Sequence, residues 1–446
     1  MPDNPNVSET LARFAAETPA SRIPDTVRHE AKRALLNILA TGIRGASDPT
    51  YRTLLGTLPV AAQGEATIVG RRERAGALDA AFLNGAGANI DDFCDTHLPT
   101  VIHPTAPVMP PLYALSERQR LSGAALLEAF ALGVEVACRI GNSISPSHYR
   151  VRGWHITASC GVFGAAAAAG RVLGLDSRQM VWALGSAAAQ ASGLVEMLGM
   201  PTKSIGVGNA ARNGLWSALL AQRGFAGPPR PLEGRFGFFN AVGETPDVSA
   251  LTGGLGESWE LSINAYKPYP GGVVIHPVID AVLELRGEGV RTDEIERILV
   301  RGHPLLSERA DRPNVTTGRE AQVSVQHSVA AAQIFGDAGL DQYTDACVND
   351  PAVLALRRKV EVAQDPAIAV EAATVEVWTR DGQHRRAAVT AARGSAGRPL
   401  TDRELEQKFE RLAGDRVADP RKLIDTVWSI DKAADASAIL AMTQPV

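Results

Sequence analysis

The sequence has few of the residues that mark several common protein classes. Its four cysteines among 446 residues are scattered without C-x-x-C spacing, which argues against a zinc knuckle or a disulfide scaffold and suits a reducing compartment. Aromatic residues make up only 5% of the chain, and no apolar run reaches the roughly 18–20 residues that a membrane span requires. With a net charge of −4 and no long basic run, the chain has no electrostatic footprint for nucleic acid or an anionic membrane.

The segment Met1–Glu9 lacks the basic start and the apolar run of a secretory signal. We therefore expect a cytoplasmic protein with no membrane partner and no nucleic-acid partner. Apolar residues make up 45% of the sequence, which is enough for a large buried core and excludes wholesale disorder. A chain of 446 residues is too long for one ordinary core, so two domains are expected.

Lysine is also scarce, since only seven of the 45 lysine and arginine residues are lysines. Two of them, Lys203 and Lys267, lie in stretches rich in Gly and Pro with few other charges, unlike a solvated helix face. The other five lie in charged, amphipathic surroundings: Lys32, Lys359, Lys408, Lys422 and Lys432.

Apolar residues recur at spacings of three and four over most of the first 221 residues, which predicts a packed helical bundle. The predicted helices are Thr26–Leu39, Ala75–Ala88, Leu112–Glu117, Ala124–Ser143, Ile156–Leu173, Ser177–Ala191 and Gly208–Arg223. Between Gly224 and Tyr269 this pattern breaks and Gly and Pro accumulate, which indicates a domain boundary.

The stretch from His276 to Arg393 mixes both periodicities, and the tail Asp402–Met442 is helical again. The mixed stretch is predicted to contain a helix from Pro277, a strand over Glu296–Val300, a helix over Val323–Ile334, and a hairpin of Ala372–Trp378 and His384–Thr390 around Asp381-Gly382. The fold is therefore predicted to be mainly α, with a large helical domain at residues 1–267 and 396–446 and a smaller α+β domain at residues 268–395.

The segment Asp91–Pro104 carries three aspartates and two histidines between two apolar helices. Acid–base catalysis needs groups whose pKa lies near the working pH, and histidine and desolvated aspartate are the usual choices. The alternative is a solvated loop whose aspartates cap helices. Clusters of Asp and His also bind divalent metals, but this spacing matches no metal motif, so no metal site is assigned.

Four further segments hold a histidine or a lysine in a poorly charged context. His155 begins an Ala-rich helix, whose dipole lowers the imidazole pKa, and Lys203 precedes a helix whose free N–H groups favour an anion. Lys267 and His276 flank a Pro- and Gly-rich stretch at the proposed boundary, and His327 opens an apolar helix. Each segment also has a structural alternative. His155 and His327 are then core histidines, Lys203 lies in a helix-capping loop, and the stretch from Lys267 to His276 is a plain linker. Together the segments suit an enzyme that holds a small polyanion and moves a proton beside one of its carboxylates.

Several segments, in this order along nearly the whole chain, resemble the MmgE/PrpD family, which includes 2-methylcitrate dehydratase, cis-aconitate decarboxylase and iminodisuccinate epimerase. The likeness is carried by Phe82-Leu83-Asn84-Gly85 with Asp91-Asp92-Phe93 and Asp95-Thr96, His103-Pro104, Gly153-Trp154-His155, Lys203 with Gly208-Asn209-Ala210-Ala211, Gly234-Arg235-Phe236-Gly237-Phe238-Phe239, and Lys267-Pro268-Tyr269-Pro270 leading to His276.

The resemblance implies a large all-helical domain, a smaller α+β lid domain, a homodimer, and a cofactor-free site in the cleft between the domains. It implies that Lys203, Lys267 and His155 bind substrate carboxylates, and that Asp92 and His103 take part in proton transfer. The full set of catalytic residues that it implies is Asp92, His103, His155, Lys203 and Lys267, and Thr96, His276 and His327 are expected to bind substrate.

Three departures from the family pattern bear on the reaction. The cis-aconitate decarboxylase branch carries a histidine where this chain has Gly272, the tyrosine common in the family is replaced by His327, and the loop between Thr96 and His103 is one residue longer. They argue against decarboxylation and leave the substrate open. The first hypothesis is a dehydratase that acts on a citrate-like acid such as 2-methylcitrate. The alternatives are an epimerase or a decarboxylase on a related polycarboxylate, and a binding protein that has lost catalysis.

Overall fold

The structure, a computed structural model, describes residues 6–446, so the expectation about Met1–Glu9 concerns residues that lie mostly outside it. The described chain is mostly helical with a small sheet region. Its helices are α1 (Val7–Glu17), α2 (Asp25–Gly45), α3 (Pro49–Leu55), α4 (Ala77–Ile90), α5 (Thr105–Gln119), α6 (Gly123–Ile144), α7 (Ser147–Arg150), α8 (Ile156–Val172), α9 (Ser177–Ala188), α10 (Thr202–Gln222), α11 (Phe238–Ala241), α12 (Val248–Thr252), α13 (His276–Gly287), α14 (Pro304–Ala310), α15 (Gly318–Ala321), α16 (Val325–Phe335), α17 (Asp345–Val348), α18 (Pro351–Arg357), α19 (Asp402–Ala413), α20 (Pro420–Trp428) and α21 (Ala438–Ala441).

The strands are short. They are β1 (Val60–Ala61), β2 (Ala66–Thr67), β3 (Arg74–Ala75), β4 (Asp95–His97), β5 (Asn264–Tyr266), β6 (Ile295–Gly302), β7 (Val360–Gln364), β8 (Ala373–Thr379) and β9 (His384–Val389). No helix in residues 6–446 is both long and apolar enough to cross a membrane.

Helix α8 lies at the centre of the helical region, and its residues from Ile156 to Gly170 are all buried. It packs against α6 and α10, and small residues make the close approach possible. A methyl group on Gly164 would lie 2.6 Å from the carbonyl oxygen of Gly133 in α6, and one on Gly214 in α10 would clash with Ala165. This close packing explains the excess of Ala and Gly over aromatics, and it brings the starts of α8 and α10 together.

The larger sheet has the strand order β7-β6-β8-β9, with β6 and β7 parallel and the other pairs antiparallel. The hairpin around Asp381-Gly382 is confirmed by the pairing of β8 with β9. Helix α13 packs on β8, β9 and α16, and together they enclose a separate apolar core that runs from Tyr269 to Val389. The edge strand β7 was not predicted from the sequence.

Several of the predictions differ from the structure in detail. Helix α10 begins at Thr202, six residues before the predicted Gly208, so Lys203 lies inside the helix and does not precede it. The first 267 residues are not all helical, because β1–β5 lie among the helices, and strands of two or three residues are too short to show a period of two. Helix α5 begins seven residues before the predicted Leu112, at Thr105, since Pro110 and Pro111 lie inside it and interrupt the helical signal. The C-terminal helix α19 packs on α2.

Candidate active site

The pairing of β4 with β5 brings two of the predicted segments together. Asp95 lies opposite Tyr266 in the antiparallel register. Since Asp92 precedes β4 and Lys267 directly follows β5, the pairing places the lysine at the aspartate. The third segment arrives through α10, because Lys203 lies in its first turn.

The carboxylate of Asp92 is the point at which these segments meet. Its Oδ1 lies 2.9 Å from Nζ of Lys267, 3.0 Å from Nζ of Lys203 and 3.8 Å from Nε2 of His103. Asp92 has a φ of +50°, a left-handed conformation that few non-glycine residues adopt. Its carbonyl accepts hydrogen bonds from the Gly271 N–H and the Lys267 ammonium, which hold the backbone in this conformation.

The charge state of Asp92 follows from its neighbours. Burial alone would raise the pKa of this carboxyl, but the ammonium groups of Lys203 and Lys267 outweigh burial and hold the pKa well below its usual range. Asp92 is therefore ionised, and two cations face one anion. The excess positive charge favours an anionic ligand.

His103 is held in one tautomer. Its Nδ1 lies 2.8 Å from the carbonyl oxygen of Asp95 and 3.0 Å from Oγ1 of Thr96. A carbonyl oxygen only accepts, so Nδ1 carries the hydrogen, and Nε2, on the Asp92 side, keeps its lone pair. Burial, with the charge of Lys267 adding to it, holds the pKa of His103 well below its usual range, so the ring is neutral and can accept a proton at Nε2.

These side chains line one cleft. His155, the residue before α8, lies in it, and burial lowers the pKa of His155 to about 3. The complete lining is Asp92, Thr96, Val101, His103, Tyr149, His155, Leu198, Lys203, Lys267, Gly272, Val273, Val274, Leu305, Arg309 and Val323. Six of the eight predicted site residues are therefore brought together, and the rest of the wall is largely apolar, which strengthens the charge interactions within it.

The structure does not bring the other two predicted residues, His276 and His327, into this cleft. His276 lines a separate small pocket that shares Lys267 and Val273 with the cleft, and its Nε2 has no hydrogen-bond partner in the described residues. His327 is fully buried, with Nε2 2.7 Å from the carbonyl oxygen of Gln342 and its ring against Tyr343. The geometry gives His327 a core role instead of the expected contact with substrate.

The remaining polar residues of the acidic segment build the loop. Asp95 accepts hydrogen bonds from Oγ1 of Thr105 at 2.6 Å and Nδ2 of Asn264 at 2.7 Å. His97 is fully buried between Thr100 and Glu260. Within residues 6–446, no three His, Cys, Asp or Glu side chains converge as metal ligands.

Lys408 anchors the loop that follows Asp92, although this lysine lies in charged, amphipathic surroundings along the sequence. It is 1% exposed, and its Nζ donates to the Phe93 carbonyl and to Oδ1 of Asn37, both at 2.7 Å. Burial holds the pKa of Lys408 well below its usual range. The sequence did contain a sign that Lys408 is buried. It shares one helix face with the apolar residues Leu405 and Leu412.

Comparison with known proteins identifies the family. The model of the MmgE/PrpD N-terminal domain matches residues 9–251, and that of the MmgE/PrpD C-terminal domain matches residues 269–432. The chain therefore belongs to the MmgE/PrpD family, and the resemblance that its motifs indicated is confirmed.

Relatives match it over almost its whole length. The cis-aconitate decarboxylase-like protein oryM of Aspergillus oryzae is 28% identical over 98% of this chain and 97% of its own length. The cis-aconitate decarboxylase of Homo sapiens is 28% identical over 98% and 94% of the two chains, and that of Aspergillus terreus is 26% identical over 98% and 95%.

Replacing Lys408 with methionine is expected to destabilise the protein and loosen the loop around Asp92. The substitution leaves the Phe93 carbonyl and Oδ1 of Asn37 buried without a donor, at a cost of about 1–3 kcal/mol each. Urea unfolding measures the loss, and amide exchange in residues 91–97 should quicken. Lys422→Met, on the exposed side of α20, is the control; equal behaviour of the two variants would disprove the anchoring role.

Proposed function

We propose that the protein is a lyase that acts on a small di- or tricarboxylic acid in the cleft at Asp92. The observation that carries this proposal is the convergence of Lys203 and Lys267 on one carboxylate beside neutral histidines. When a proton leaves a carbon next to a carboxylate, negative charge spreads onto that carboxylate. Ammonium groups already in place stabilise this charge without reorganisation. The names of the relatives support a polycarboxylate substrate.

His103 is the proposed general base. Asp92 is the poorer candidate, because the two lysines that hold it ionised also make it weakly basic. The positive charge of Lys267 contributes to the low pKa of His103 in the empty cleft. A substrate carboxylate at the lysines offsets that charge and raises the pKa of His103, so binding itself makes the base stronger.

Dehydration is the proposed reaction. His103 removes a proton α to a carboxylate, the electron pair forms a carbon–carbon double bond, and the β-hydroxyl leaves as water with a proton from an ammonium group of the cluster. The reaction is redox-neutral, so these side chains can perform it without a cofactor. Gly272 supports this choice, because it lines the cleft at the place where the decarboxylase branch is expected to carry a histidine. The proposed substrate is citrate-like, such as 2-methylcitrate.

Decarboxylation of a substrate like cis-aconitate is the second candidate, because the relatives are named as cis-aconitate decarboxylases. In that reaction the lysines stabilise the carbanion that remains when carbon dioxide leaves. A protonated residue of the cluster then supplies the proton to carbon.

The division into domains belongs to the same proposal. Residues 1–267 and 396–446 form the helical domain, and residues 268–395 form a lid that covers the cleft. The separate apolar core from Tyr269 to Val389 supports this division. The lining of the cleft supports it too, because residues of both proposed domains contribute to it. We also propose a cytoplasmic location, which suits four unpaired cysteines.

Incubation with 2-methylcitrate, citrate and cis-aconitate in deuterium oxide separates the reaction types. We expect one of the hydroxy acids to lose water. Mass spectrometry detects the unsaturated product. Release of carbon dioxide from cis-aconitate would instead establish the second candidate. Deuterium in an unchanged or inverted substrate would indicate an epimerase. Tight binding without any exchange or product would contradict the lyase assignment and leave a binding protein.

Single substitutions should separate binding from chemistry. Lys203→Ala and Lys267→Ala are expected to raise KM strongly, because each removes a cation that binds a carboxylate. His103→Ala should mainly lower kcat, by about 10²–10⁴-fold, as expected for a general base. His384→Ala, on the exposed face of β9, is the control. Wild-type kinetics in all three cleft variants would show that the site lies elsewhere.

A homodimer is the proposed assembly. Large apolar side chains are exposed along residues 151–236, among them Val151, Leu194, Trp216, Phe225 and Phe236. Where such side chains form one contiguous patch, the patch is typical of an interface. Light scattering should give a mass about twice the 47.1 kDa of one chain. A mass of one chain at micromolar concentration would contradict the dimer.

A further inference from the structure

Arg309 is a cation in the cleft that lacks an acidic partner among residues 6–446. It lies on α14, and its guanidinium carbon is 4.9 Å from the ring centre of Tyr149. Both side chains line the cleft. The Nε of Arg309 is buried and has no hydrogen-bond partner in the described residues. A buried donor without an acceptor is costly, so this position calls for an anion that residues 6–446 do not supply.

The neighbouring residues explain how Arg309 is held. Glu308 forms an ion pair of 2.5 Å with Arg150 of α7, directly beside the stacked pair of Arg309 and Tyr149. Helix α14 is anchored by Leu305 in the core that begins at Tyr269, whereas α7 belongs to the helical region. Two adjacent contacts therefore bridge the cleft, and a guanidinium stacked on a ring keeps its edge free for a planar anion.

The charges of the cleft suit a ligand with at least two carboxylates. Its histidines are neutral, and Asp92 offsets one of three cations, which leaves a net charge of +2 among the lining residues. Tyr149 lines the cleft beside Arg309, whose guanidinium stacks on its ring. One positive charge thus belongs to the lysine end and one to the Tyr149 end.

We infer that Arg309 binds a second carboxylate of the substrate, remote from the carbon that reacts, and thereby makes the enzyme specific for polycarboxylic acids. This inference rests on the proposed function and adds the residue that binds the carboxylate farthest from the reacting carbon. A guanidinium binds a carboxylate through two parallel hydrogen bonds, which a lysine cannot reproduce.

Binding calorimetry with two unreactive acids tests the inference. Tricarballylate has three carboxylates and no hydroxyl, and isobutyrate is the same acid without its two terminal carboxylates, so it offers nothing to a second carboxylate site. The wild-type protein should bind tricarballylate about tenfold more tightly or better, as one charged hydrogen-bonded pair provides. Arg309→Gln should lose this preference by weakening tricarballylate alone, and Arg309→Lys should keep only part of it. Thermal unfolding of each variant shows that it is folded.

Glu308→Gln is the matched control, because it breaks the ion pair to α7 and leaves the guanidinium in place. It should retain most of the preference. The inference is overturned if Arg309→Gln binds both acids as the wild type does, weakens both equally, or is matched by Glu308→Gln. Wild-type protein that binds neither acid would refute the proposed function as well. Binding with the predicted preference but no turnover of any polycarboxylate would refute the lyase and leave the role of Arg309 intact.

Discussion

The ion pair of Asp92 with Lys203 and Lys267 is the interaction on which the rest of the site depends. Three segments that are distant in sequence meet at one carboxylate oxygen, and all three side chains are buried. Removing one partner of a buried ion pair leaves an uncompensated charge, typically at a cost of about 3–5 kcal/mol. The fold therefore has to place both lysines at Asp92. The pairing of β4 with β5 positions Lys267, and the first turn of α10 positions Lys203.

The same charges act together with burial on the protonation of the other groups in the cleft. Two ammonium groups keep Asp92 ionised and help to keep His103 neutral, so a base with a free lone pair stands beside fixed positive charge. Among residues 6–446, Asp92 is the carboxylate that pairs with the two lysines. In the proposed lyase, a carboxylate substrate completes the charge balance and strengthens His103 as the base, and we infer that Arg309 holds its far end. Binding and proton transfer are thus two effects of one electrostatic arrangement.

Much of the fold and of the candidate site was predictable from the sequence, and the features that were missed have physical causes. Long periodic helices such as α2 and α8 and the turn at Asp381-Gly382 have strong local signals. Lys203 and Lys267 stood out because they lack charged neighbours in sequence. The pairing of β4 with β5 was not predictable, since three-residue strands show no period. Arg309 resembles any other arginine until the fold places it over Tyr149. His327 was chosen by its place in a family pattern, whereas its contacts place it in the core.

The most direct test of this account is an NMR titration of the His103 ring nitrogens in the empty protein and in Lys267→Met. The account predicts a neutral ring with hydrogen on Nδ1 in the wild type at and below pH 6.5, the ordinary imidazole value. Removing the cation should raise the pKa of His103, because the protonated ring then faces less positive charge. A wild-type His103 that titrates near pH 6.5 and does not respond to Lys267→Met would contradict it.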